Sequence, residues 1–210
     1  MTIIQKAKPT SPGRRHVVSI KHDHLAKSKP MKKLTKSKVK IDGRNNKGQI
    51  TVRHRGGGHK KFYRLVDFKR QMDGIKATVR KIEYDPNRSA HIALICYENG
   101  KWSYVIAAAG LSIGDTIYNG PDSPIKPGNF IPLNKVPQGT IISCIEIAPL
   151  GGAKLARSAG SYANLVSKDH QYALVKLRSG EVRKIHIDSR VMIGSVSNEK
   201  HLSLIHISEP

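Results

Sequence analysis

The chain has 210 residues, enough for one large or two small cores, and carries 37 Lys and Arg against 15 Asp and Glu, a formal charge of +22. Such a chain repels itself until a polyanion neutralises it, which points to nucleic acid. A membrane partner would require a basic amphipathic helix, a lipid anchor or an apolar run of about 18 residues, and the sequence offers none of these.

The N-terminus is polar and basic, without the apolar core of a secretory signal, so a cytosolic setting is expected. Cys96 and Cys144 stand outside any C-x-x-C pair and read as buried thiols in a reducing compartment. The charge is uneven. Up to Arg70 there are 21 Lys and Arg against 3 acids, whereas the remainder holds 16 against 12.

Residues 1–40 are broken by Pro9, Pro12 and Pro30 and show little apolar periodicity, which predicts an extended basic arm that orders on its partner. His22-Asp23-His24, with His16 nearby, has no acid or Cys at ligand spacing to complete a shell, so no metal site is expected. The stretch Gly43 to Lys61 is different. It places Arg44, Asn45, Asn46, Lys47, Arg53, His54, Arg55, His59, Lys60 and Lys61 around two Gly-containing turns. Arg forks chelate phosphate oxygens, and Gly56, Gly57 and Gly58 let backbone N–H groups approach a ligand without Cβ interference.

From Ile50 the pattern is β. Ile50 to Arg55 alternates, with Ile50, Val52 and His54 on one face; Phe62 to Phe68 repeats this with Phe62, Val66 and Phe68 inward. Strands are predicted at Ile75 to Tyr84, Ala90 to Tyr97 and Lys101 to Ala107, the last two joined by an Asn99-Gly100 hairpin. Phe62 and Trp102 are expected in the core, while Tyr63 is open between core and base-stacking platform. Short strands with tight turns imply a small closed barrel of the kind that holds oligonucleotides.

Gly110 to Pro137 is rich in Gly, Pro, Asn and Asp, placing a boundary near Tyr118 to Lys126. A second domain follows, with strands at Thr140 to Ile147, Ala163 to Lys168, Tyr172 to Leu177 and Glu181 to Ile187. An irregular segment runs from Pro149 to Gly160 and carries Lys154 and Arg157. The expected divisions are an arm (1–40), a first barrel (41–120), a second barrel (125–198) and a tail (199–210). No G-x-S-x-G, H-E-x-x-H or P-loop pattern is present, and the carboxylates are isolated. No catalytic residue, cofactor or small-molecule substrate is expected.

Lys8-Pro9-Thr10-Ser11-Pro12-Gly13-Arg14-Arg15, the Gly43 to Lys61 stretch, Tyr63-Arg64 and Asp67-Phe68-Lys69-Arg70 resemble the bacterial form of large-subunit ribosomal protein two. Leu155-Ala156-Arg157-Ser158-Ala159-Gly160 and Ser179-Gly180-Glu181-Val182-Arg183 are similar to that family's second-domain motifs. The resemblance implies an all-β fold, an oligonucleotide-binding barrel followed by an SH3-like barrel. It also implies binding to large-subunit rRNA near the peptidyl-transferase region, contacts with neighbouring ribosomal proteins and a role at an intersubunit bridge.

Carried over by motif, RNA contacts are expected from Arg14, Arg15, Arg44, Asn45, Asn46, Arg53, His54, Arg55, Gly56, Gly57, Gly58, His59, Lys60 and Lys61. Further contacts are expected from Arg64, Lys69, Arg70, Lys154, Arg157, Ser158, Ala159 and Gly160. Two positions depart from the pattern. Leu150-Gly151-Gly152-Ala153 lacks a cation where the family has Gly-Lys-Gly-Gly, and Ser143-Cys144 replaces His-Asn. After His201 the family continues into a basic Gly-rich tail, whereas Leu202 to Pro210 resembles a translated sequencing adapter and is expected outside the fold, so His206 is assigned no role. A general RNA-binding protein or RNA chaperone is the alternative function.

Overall fold

The computed structural model describes residues 4–38, 41–201, 203 and 204. Leu202 and residues 205–210, most of the adapter-like segment and His206 with it, lie outside the described residues. The fold is all-β, as the alternation predicts.

The first barrel is built on a four-stranded antiparallel sheet in the order Trp102–Ile106, Ile92–Tyr97, Ala77–Glu83, Thr116–Ile117. Period-2 alternation buries Ala77 and Val79, and a bulge between Val79 and Lys81 resets the phase so that Ile82 also turns inward. Ile95, Tyr97, Val105 and Ile117 complete this core. At Asn99-Gly100 the hairpin forms as predicted: Gly100 takes φ 78, and the Asn99 side-chain oxygen accepts from the Lys101 N–H at 3.0 Å.

The second barrel centres on a six-stranded antiparallel sheet in the order Val182–His186, Tyr172–Leu177, Ala163–Lys168, Ile141–Ser143, Arg190–Ile193, Phe130–Pro132. Strands 163–168 and 172–177 alternate buried and exposed, which sends Ala163, Leu165, Ala173 and Val175 into one apolar cluster. The predicted single strand from Thr140 to Ile147 breaks in two. Cys144 takes φ 48 between Ile141–Ser143 and Ile145–Glu146, and the second piece leaves the large sheet to pair with Ala153–Leu155. That last strand lies inside the segment expected to be irregular. Its anchor is Glu146, wholly buried, whose two carboxylate oxygens accept N–H bonds from Gly152 at 2.9 Å and Arg190 at 3.1 Å.

Three further expectations need correction. Ile50 to Arg55 forms no strand. Ile50 makes a single bridge to Arg44 and the chain then turns, with His54 at φ 59. Alternation specifies a strand only where one face is buried, and Ile50 is 61% exposed and Val52 45%. Phe62 and Trp102, expected in the core, are 52% and 36% exposed. Both begin edge strands, where a face that points inward on paper has nothing above it.

The arm is docked along part of its length. Ile4–Lys6 pairs with Val18–Ile20, and Thr35–Ser37 pairs with Phe62–Arg64. Leu25, Met31 and Leu34 pack against the first barrel. The Met31 N–H donates to the Tyr104 hydroxyl at 3.0 Å, which in turn donates to the buried Glu83 carboxylate at 2.9 Å. The barrels share a seam. Ala90, Ile106 and Ala108 from the first pack with Phe130, Cys144, Met192 and Val196 from the second, and Arg190 grips Asp73 with two bonds of 2.7 and 2.6 Å. Among the described residues no helix is long and apolar enough to cross a membrane.

Candidate nucleic-acid interface

Residues 43–61 carry six Lys and Arg and no acid. Every residue from Asn46 to Tyr63 is exposed. The loop's shape comes from its own backbone rather than from a core. Asn45 acts as a hub: its side-chain oxygen accepts from the N–H groups of Lys47 at 3.0 Å and Gln49 at 2.9 Å, and its own N–H donates to the Gln49 carbonyl at 2.9 Å. Arg44 donates to the Gly48 carbonyl at 2.9 Å, so one nitrogen of its fork holds the turn. The Gly43 carbonyl collects N–H bonds from Thr51 and Val52.

Glycine is required at two points. A Cβ on Gly43, at φ 68, would collide with the Val52 carbonyl oxygen, and one on Gly56, at φ 104, would meet the Asp42 side chain at 2.5 Å. Gly57 and Gly58 differ. Both take φ 75, a conformation that itself favours glycine, with open space where a Cβ would project, so no neighbouring atom demands the missing side chain. Arg53, His54 and Arg55 form the exposed tip, and Lys60 and Lys61 lead into the strand Phe62–Arg64. Arg64 is half-buried and caps the Phe62 carbonyl at 2.8 Å.

Sequence reasoning undervalued Phe62. Together with Tyr63 it puts exposed aromatic rings beside Lys60, Lys61 and Arg64, the composition of a base-stacking platform. The signal was present: an aromatic pair enclosed by cations on both sides is poor core sequence.

The remaining candidates divide. Arg14 and Arg15 are exposed, Arg14 in the 3₁₀ turn Pro12–Arg14, and Lys69, Lys154, Arg157 and Ser158 are exposed as well. Arg70 is 4% exposed and points inward. It donates to the Gly128 carbonyl at 2.9 Å and lies over the Phe130 ring at 5.2 Å, and burial lowers its pKa. Its side chain is therefore no part of the exposed basic surface. Ala159 and Gly160 are buried too. The Ala159 N–H donates to Ser89 Oγ at 3.2 Å, and Gly160 packs on the Glu199 backbone, 3.0 Å from where its Cβ would sit. Ala159 thus reaches across to the first barrel and Gly160 packs on residues 196–199, and only Lys154, Arg157 and Ser158 of that motif are fully exposed. Arg157 lies over Phe68 at 4.9 Å with Arg88 at 5.6 Å from the same ring.

Residues 31–119 match the family profile "Ribosomal Proteins L2, RNA binding N-terminal domain", and residues 126–206 match "Ribosomal Proteins L2, C-terminal domain". The chain is similar to "Large ribosomal subunit protein uL2" of Leptothrix cholodnii, at 58% identity over 94% of this chain and 72% of that protein. The proteins of the same name from Buchnera aphidicola and Acinetobacter baumannii are 54% and 52% identical, over 95% and 94% of this chain and 73% and 72% of theirs. With both halves matched and relatives more than half identical along nearly its whole length, the chain belongs to the ribosomal protein L2 family.

Proposed function

We propose that the chain is a structural constituent of the large ribosomal subunit, working in the cytoplasm by binding large-subunit rRNA. Family membership carries the ribosomal role. The wholly exposed, acid-free loop at 46–61 supports the assignment of the RNA contact. Its mechanism is charge neutralisation with shape: each phosphate met by Lys or Arg releases counterions, and the turns around Asn45 and Gly43 hold those cations in a fixed array. Arg14, Arg15, Arg44, Asn46, Arg53, His54, Arg55, Lys60 and Lys61 are the principal contacts from the first part of the chain. Lys69, Lys154, Arg157 and Ser158 form a second patch. The role is positional rather than catalytic. The surface beyond these patches meets neighbouring ribosomal proteins and the small subunit, near the peptidyl-transferase region. The division into arm (1–40), first barrel (41–120) and second barrel (125–198) is part of the same reading, supported by the two separate apolar clusters.

The test is a competition between folded large-subunit rRNA and an unstructured RNA of equal length, run across a salt series. Preference for the folded rRNA, with affinity falling steeply as salt rises, is expected. Equal affinity for both RNAs would instead identify a general RNA chaperone.

A further inference from the structure

We propose that His22, His24 and His91 form a zinc site that clamps the N-terminal arm to the seam between the two barrels. The two arm histidines lacked a third ligand in the sequence, and the fold supplies one from about seventy positions downstream. One ring nitrogen from each of the three residues lies within 4.8 Å of the others. The ring centroids of His22 and His24 are 4.9 and 5.6 Å from that of His91, and 5.9 Å from each other.

His91 is the decisive member. It is 2% exposed, and neither of its ring nitrogens has a hydrogen-bond partner. A buried imidazole with both nitrogens unsatisfied is costly unless something is brought to it. Its backbone is fixed, with the N–H donating to Ser197 Oγ at 3.2 Å, so the ring presents from a rigid wall. Opposite, the His22–His24 turn is held by Leu25 in the first core and by the Ala26 N–H on the Ile82 carbonyl at 2.8 Å. Asp23 turns away to Lys21 at 3.1 Å, so the arm offers imidazoles rather than a carboxylate at this point.

A set of three imidazoles suits zinc rather than calcium or magnesium, which take oxygen ligands, and the Glu199 carboxylate in the same cleft accepts a hydrogen bond from the Ser195 hydroxyl at 2.5 Å. Zinc–nitrogen bonds of about 2.0–2.1 Å in a tetrahedron set the nitrogens about 3.4 Å apart. Closure from 4.8 Å falls to exposed His24 and half-buried His22, the two members on the arm. The three residues line a cleft of about 530 Å³ that also includes Ser197, Asn198 and Glu199, and the fourth coordination position opens into it for water. Since His91 adjoins Ser197, from beyond the last strand of the second barrel, metal binding would tie arm, first barrel and second barrel at one point.

The experiment is zinc titration of the tag-free, metal-stripped full chain by calorimetry, with cobalt as a spectroscopic probe of tetrahedral nitrogen ligation. One equivalent is expected. His24→Ala and His91→Asn should each weaken it by more than the roughly 10–100-fold that loss of an outer partner costs, and His170→Ala should leave it unchanged. His24 lies on an exposed turn, so its variant keeps the test valid if His91→Asn fails to fold. Zinc should also slow trypsin cleavage after Lys21 and Lys27 in the parent but not in His24→Ala. Less than one equivalent bound by the parent, or parent-like affinity in His24→Ala, would overturn the site. Unchanged cleavage with zinc bound would overturn the clamp.

Discussion

The loop at 43–61 and the motif at 154–160 are both basic, Gly-containing stretches, yet they are built in opposite ways. The loop is exposed from Asn46 onward and shaped by its own turns, so its cations can be changed with little consequence for the barrels. In the motif, exposed Lys154, Arg157 and Ser158 sit beside buried Ala159, bonded to Ser89 of the first barrel, and buried Gly160, packed on the Glu199 backbone. Exposed charge is thus separable from packing in the first region and entangled with it in the second.

Gly160→Val should show the entanglement most strongly. A β-branched side chain at φ 62, pressed on the Glu199 backbone, should cost about 3 kcal/mol of stability in denaturant unfolding, with RNA affinity falling only because the fold weakens. Parent-like stability would mean that the seam yields. Phe62→Ala tests the opposite region: a loss of roughly 1–3 kcal/mol in RNA binding is expected if the ring stacks on a base, with unfolding shifted by less than about 0.5 kcal/mol. A stability loss of comparable size would mark Phe62 as a packing residue. Changing Arg53 and Arg55 together to Ala should flatten the salt slope of rRNA binding by roughly 1–2 units and leave the melting curve in place. An unaltered slope would remove these side chains from the phosphate contacts.

A smaller effect lies at high pH and belongs to the packed parts alone. Burial pushes the Cys144 thiol from 9.0 up to about 12, and burial with the Glu83 hydrogen bond pushes Tyr104 from 10.0 up to about 12. Between those values the unfolded chain holds fewer protons than the folded one. Stability is therefore full below about pH 9 and declines as pH rises toward 12. Denaturant midpoints should hold from pH 7 to about 8.5 and fall by pH 10.5, whereas a flat series would place both groups in contact with solvent.

How much could be read beforehand follows from the same contrast. Strands 77–83, 92–97, 163–168 and 172–177 are legible because one face is buried and the period of two is enforced by packing. The Asn99-Gly100 turn is legible because its chemistry is local. Ile50 to Arg55 carries the same alternation without a neighbour strand, and no property of the segment itself reveals that absence. The kink at Cys144 and the inward turn of Arg70, both at positive φ on residues other than glycine, are set by distant partners: the Ala156 carbonyl and the strand Arg190–Ile193 around the one, Gly128 and Phe130 around the other. The exposed basic loop was visible in composition alone. The His91 ligand was not, since its partners come together only when the arm docks.

The three-residue ladder between Thr35–Ser37 and Phe62–Arg64 makes everything between them a closed hoop. For such a hoop the entropic cost of closure grows only logarithmically, about 0.6 kcal/mol per doubling of length. Insertions or deletions at its tip near Arg53 leave the clasp and the barrel untouched. The hoop can therefore change length while the scaffold that carries it stays the same.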